Sequence, residues 1–177
     1  MHIVVTLSDA SLQRFITRLE NASQILRPEL ARDLNQAGQQ IFTDVRQALF
    51  RQMGTKSFAP VEKATDTIEA SEGSLSFTIL GHGSGLKIEE FPVSAAVHSP
   101  VTAMPWAVSH TFKRSFMTSA RGLLRARTTS KRLPIRSLRG PNPGKEIVKD
   151  QSLAAFESGV SGRLEPMVQR ALTKLLA

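Results

Sequence analysis

Apolar residues recur along this chain with two periods, and the places where the period changes mark its elements. Residues 3–7, IVVTL, are rich in β-branched side chains and predict a strand. Ser8 or Asp9 can then cap a helix, because a side-chain oxygen there satisfies an orphan backbone N–H. Leu12, Phe15, Ile16 and Leu19 follow at helical spacing. A second helix is expected from Pro28, whose fixed φ suits a first helical turn. Its apolar stripe is Leu30, Leu34, Ala37, Ile41, Val45 and Leu49, widened by Phe42 and opposed by polar residues such as Arg32, Gln36, Gln40 and Arg46. Gly54 ends it.

After a loop over 55–64 the period shortens to two. In TDTIEASEGSLSFTIL, Leu75, Phe77 and Ile79 alternate with polar residues and Glu72-Gly73 supplies a turn, so a β-hairpin is expected. GHGSG at 81–85 is a break, and LKIEEFPVSAAV is a further extended segment that Pro92 places at an edge. WAVSHTFKRSF, 106–116, fits strand and helix equally. GLLRAR (122–127) and RLPIRSL (132–138) read as two strands joined by the turn TTSK, and the run Gly140 to Gly144 then stops regular structure. Helical spacing returns with Leu153, Phe156, Val160, Leu164, Val168, Leu172 and Leu175, where Pro166 predicts a kink or a restart. The expected fold is α+β: N-terminal helices, a central mostly antiparallel β-sheet and a long C-terminal helix, in one domain over 1–177.

Composition leaves that picture intact, since 41% apolar and 21% charged residues are ordinary for a folded domain. There is no cysteine, which removes disulfides, thiolate metal sites and cysteine nucleophiles, and which fits a reducing cytoplasm. The opening MHIVVTLSDASLQRF lacks the basic region and long apolar stretch of a signal peptide. No window approaches the roughly 20 apolar residues of a membrane span, so a soluble protein without a membrane partner is expected. Charge changes the picture more. The interval 91–145 contains ten basic residues and no acidic one, whereas the rest of the chain has 13 basic and 15 acidic residues. A field concentrated in this way attracts polyanions or an acidic protein face.

Catalytic patterns are weak. GHGSG is not followed by the Lys-Ser/Thr of a phosphate-binding loop, and no G-x-S-x-G elbow occurs. Glu89 and Glu90, the one adjacent carboxylate pair in the segment read as extended, would point to opposite faces of a strand. His98 and His110 with Glu89 or Glu90 are the best available metal set, but their spacing does not ask for an ion. No enzyme activity and no cofactor or metal are expected. For nucleic acid, no zinc finger or RNP motif appears, and Phe112 and Phe116 give only thin aromatic interleaving. Non-specific phosphate contact needs Arg and Lys alone, and predicts duplex affinity that falls steeply with salt.

The stretch SFMTSARGLLRARTTSKRLPIRSLRGPNPG, 115–144, resembles the phage minor tail protein Z family and related tail-completion proteins. The resemblance rests on Phe116, Gly122 and the strand ending in Arg127. It continues through a polar turn to Arg132-Leu133-Pro134-Ile135 and, four residues on, Gly140-Pro141, with a helix from about Ser152 closing the chain. The first strand and 81–105 do not follow that pattern. What the resemblance implies is a structural virion protein of the tail or neck, made in the host cytoplasm. It would act as a homo-oligomer, a six-fold ring in that class, completing the tail tube and helping join tail to head. Other tail or neck proteins and, non-specifically, packaged double-stranded DNA are the implied partners. The candidate assembly or DNA-facing surface is Arg114, Arg121, Arg125, Arg127, Arg132, Arg136 and Arg139, with Ile135 turned to the core and Arg136 to the surface. The loop 54–64 and the C-terminal helix are expected to supply further assembly faces. The alternative is a basic DNA-binding accessory protein without catalytic activity.

Overall fold

The computed structural model describes residues 3–6, 26–94, 100–118 and 122–176. The helix predicted around Leu12, Phe15, Ile16 and Leu19 lies outside the described residues. Strand β1 (Ile3–Thr6) leads the chain, and helix α1 is described over Leu26–Met53. Every member of the predicted stripe of α1, Phe42 included, is buried, and Arg32, Gln36 and Gln40 are exposed. Gly54 ends α1 with φ +69 and donates its N–H to Phe50 O at 3.1 Å, a left-handed exit that glycine adopts without strain.

The segment expected to be a loop instead folds onto α1. Helix α2 (Ala59–Lys63) buries Val61, and Phe58 meets Phe50 edge-on with ring centroids 5.8 Å apart. Arg46 lies over the Phe42 ring and bonds Thr65 Oγ1 and Glu62 O, so 58–65 is tied to the helix. The hairpin follows as predicted: β2 (Thr65–Ile68) pairs antiparallel with β3 (Thr78–Gly81), Thr65 opposite Gly81 and Ile68 opposite Thr78. Ser71 and Ser74 exchange backbone hydrogen bonds around Glu72-Gly73, closing the turn, and Leu75, Phe77 and Ile79 all point inward. Strand β1 adds to the other side of β3, giving the order β1-β3-β2.

Two more antiparallel three-stranded sheets follow. The first runs β4 (Val93–Ser94), β5 (Val101–Ala103) and β6 (His110–Phe112); Pro92 does precede an edge strand. The second runs β7 (Ser115–Thr118), β8 (Leu123–Arg127) and β9 (Ile135–Ser137). Thus the ambiguous 106–116 segment is mostly strand. It carries the chain between sheets, and Ser115 staples the join: its hydroxyl accepts Val101 N–H at 2.6 Å and donates to Phe112 O at 2.5 Å. Glu89 and Glu90 are not on a strand but in a 3-10 turn, Ile88–Glu90.

The Gly-Pro-Asn-Pro-Gly run does more than stop structure. Residues 86–88 form a short ladder with 138–141, through Leu86 N to Pro141 O, Gly140 N to Leu86 O and Ile88 N to Leu138 O. A Cβ on Gly140 would sit 2.6 Å from the buried Phe91 ring, so no larger residue fits without displacing it. Asn142 then caps helix α3 (Pro143–Glu146), its Oδ1 accepting Gly144 N–H at 3.0 Å. Helix α4 (Asp150–Gly159) runs through a π turn, Val160–Leu164, into helix α5 (Glu165–Leu176). At Pro166 the helix restarts, the proline being the second residue of α5 directly after the π turn.

The buried face of α4 is rotated from the predicted one. Leu153 is exposed, while Ser152 and Gly159 are buried and face α1. A Cβ on Gly159 would lie 2.8 Å from Ile41 Cγ1, so small residues, not large apolar ones, set how closely the two helices approach. The side chains of Leu172 and Leu175 lie outside the described set. The buried apolar residues of helices and sheets form one cluster.

Candidate functional site

The β7-β8-β9 sheet holds three of the seven predicted arginines, Arg125, Arg127 and Arg136, and alternation along its strands sorts them. In β8, Leu124 and Ala126 are buried, so Leu123, Arg125 and Arg127 take the outer face. Register places Phe116 opposite Arg125 and Ile135 opposite Arg127. Arg125 donates to the Ser137 hydroxyl, and the Arg127 guanidinium lies 5.3 Å from the centre of the Phe116 ring. The outer face therefore combines two guanidinium groups, an aromatic ring and an aliphatic side chain.

The expected division of β9 is reversed. Ile135 is 44% exposed and shares the outer face, whereas Arg136 stands opposite Ala126 on the other face and reaches water at the rim. Leu138, the next apolar residue, is the one that enters the core. Leu133, just before β9, is 66% exposed. The reversal follows from register: Leu138 must be buried, and period two then turns Ile135 outward.

The other predicted arginines are dispersed. Arg114, with φ +59, occupies the two-residue turn between β6 and β7, and its carbonyl accepts Arg127 N–H at 3.0 Å. Arg132 is exposed on the β8–β9 loop. Arg139 is exposed but engaged, donating to Ser84 Oγ and Gly85 O at 2.9 Å each, so it closes the GHGSG loop rather than facing a partner freely. Arg121 lies outside the described residues. Among the described residues no ion pair engages Arg114, Arg125, Arg127, Arg132 or Arg136.

Alternative sites lead elsewhere. Glu89 Oε1 accepts Leu124 N–H at 2.8 Å and so supports β8. His110 meets Trp106 edge-on, with centroids 6.1 Å apart. His98 lies outside the described residues, and among the described ones no cluster of three potential metal ligands occurs. Nor is any described helix long and apolar enough to cross a membrane.

Two features escaped the sequence reading. One is a buried polar cluster: Gln52 donates to Glu146 O and Oε2 and accepts from Ser152 N and Oγ, while Trp106 Nε1 donates to Glu146 Oε2 at 3.1 Å. Only the anomaly of Gln52 on the apolar side of α1 hints at it. The other is an open groove between α1 and the π turn, about 550 Å³, bridged by Arg163 to Asp44 at 2.6 Å. No family model, no curated protein and no solved structure matches the chain.

Proposed function

We propose that this chain is a structural subunit of a phage tail or neck, which completes the tail tube and helps join tail to head as part of a ring. The observation that carries the reading is that the stretch resembling tail-completion proteins, 115–144, coincides with one structural unit. That unit is the β7-β8-β9 sheet with its exit into α3, an arginine-rich surface without described acidic partners and with Leu133 and Ile135 in water. Guanidinium, aromatic and aliphatic groups side by side are the composition of protein interfaces. Of the groups weighed above for a metal site, Glu89 bonds the β8 backbone and His110 meets Trp106 edge-on, which supports a non-enzymatic reading.

The ring, its tail or neck neighbours and its place in the virion follow from the same reading. The second reading, a DNA-binding accessory protein, draws on the same unpaired arginines, since phosphate contact requires no more than such a surface. The test is electron microscopy of lysates from the parent phage with and without this gene. Unjoined heads and tails, or tails of abnormal length, are expected in its absence. Normal infectious particles would overturn the assembly role and favour DNA binding.

A further inference from the structure

We infer that copies of this chain join head to tail by strand addition, the acidic edge strand β2 of one copy pairing antiparallel with the basic edge strand β9 of the next. This deepens the ring reading and rests on it for its biological setting. Among the described residues both strands are edges: β2 has only β3 beside it and β9 only β8, and none pairs with either outer side. Unpaired main-chain donors and acceptors along such an edge are a template for another chain, and charges on the edge then decide which chain is accepted. Both also keep aliphatic side chains in water, Ile68 at 56% and Ile135 at 44% exposure, and strand addition covers part of that surface.

Charge selects the occupant. Asp66, Glu69 and Glu72 lie on β2 and the turn beyond it, whereas Arg127, Arg132 and Arg136 lie on and around β9, in the interval that has no acidic residue. The two edges are thus complementary to each other and not to themselves. A contact between different faces of identical subunits is heterologous, the type that closes into rings.

Hydrogen-bond alternation selects the register. His82 N–H donates to Ala64 O at 2.9 Å, so in this antiparallel ladder Asp66 and Ile68 also turn their main-chain groups toward β3, and Thr67 turns its own to the open side. In β9, Leu138 N–H donates to Leu124 O and Thr128 N–H to Pro134 O, so Arg136 bonds inward to β8 while Ile135 and Ser137 face outward. Thr67 can therefore exchange bonds with Ile135 or with Ser137. The first choice sets Asp66 directly opposite Arg136; the second sets it opposite the buried Leu138. Charge complementarity requires the first. Asp66 has a nearby histidine, His82 Nδ1 at 3.7 Å, yet its side chain is 71% exposed and open to an arriving guanidinium.

The chain has no cysteine, so introduced thiols report without background. In the proposed register Asp66 and Arg136 form a non-hydrogen-bonded pair, with Cα atoms about 4.5 Å apart, inside the range a disulfide spans. D66C and R136C are purified separately, checked for native circular dichroism, mixed at high concentration and oxidised. A mixed dimer several-fold in excess of either same-variant dimer is expected, and also of the dimer formed by D66C with R32C, a control on the exposed face of α1. A mixed dimer no more abundant than these overturns the pairing. Charge gives an independent reading: Arg136→Asp lowers self-association, and adding Asp66→Arg restores it; no restoration also counts against the pairing. The two proposals fail separately. Selective cross-linking with normal phage particles in the absence of the gene removes the virion role and leaves the pairing, whereas a tail defect without cross-linking does the reverse.

Discussion

Phe77→Ala is expected to lower the unfolding free energy by about 3–5 kcal/mol, the range for deleting a buried aromatic side chain. Phe77 is fully buried just before β3, on the turn side of the β2–β3 hairpin, and its ring lies against α1 at Gly38. A Cβ at Gly38 would sit 2.4–2.6 Å from three atoms of that ring. Gly38→Ala alone should therefore cost about 1–3 kcal/mol through overpacking, despite alanine's better helix propensity. In the Phe77→Ala background the clash is gone and only the propensity gain remains, so the same substitution should become neutral or stabilising by up to about 1 kcal/mol. Urea denaturation of the four proteins measures the coupling. Costs that add to within about 0.5 kcal/mol would show that Phe77 does not define the Gly38 contact.

The second large effect concerns Gln52. Its carboxamide accepts from Ser152 N and Oγ and donates to Glu146 O and Oε2, in a site where Ser152 is fully buried and Glu146 nearly so. Gln52→Leu keeps the volume but strands the Ser152 donors and the Glu146 acceptors, and should cost at least about 2 kcal/mol, since each unsatisfied buried group costs about 1–3. Gln52→Glu is closer in shape but sets a second carboxylate against Glu146 Oε2, and is expected to be destabilising as well. Trp106 is the chain's sole tryptophan, and its Nε1 bonds the same Glu146 oxygen. Its fluorescence should shift in both variants as the carboxylate moves. Unchanged emission and stability in Gln52→Leu would contradict the view that this cluster pins the end of α1 to the start of α4.

These two sites also show what the sequence could and could not reveal. The stripe on α1 and the inward alternation of Leu75, Phe77 and Ile79 were legible because large apolar residues repeat at the period of their element. The face of α4 was not, since it packs through Ser152 and Gly159, which carry no hydropathy signal, and leaves Leu153 in water. Loop 55–64 hid a helix because one short turn, held by Val61 and the Arg46 contacts, has no periodicity to read. In the candidate surface, the clustering of charge in 91–145 was visible as composition. Which arginines face outward together depends on register, fixed by the burial of Leu138, and that placed Ile135 beside Arg127 rather than in the core. Arg139 looked as available as Arg136 until the GHGSG loop, distant in sequence, folded against it.

Cryo-electron microscopy of purified phage particles, reconstructed at the head–tail junction, with mass spectrometry of the same sample, decides whether the chain belongs to the virion. This chain is expected to be a stoichiometric component of the particle. Its fold should fit a ring of density at the tail's upper end, with β2 of each copy beside β9 of its neighbour. Infectious particles that do not contain the chain would contradict the virion role.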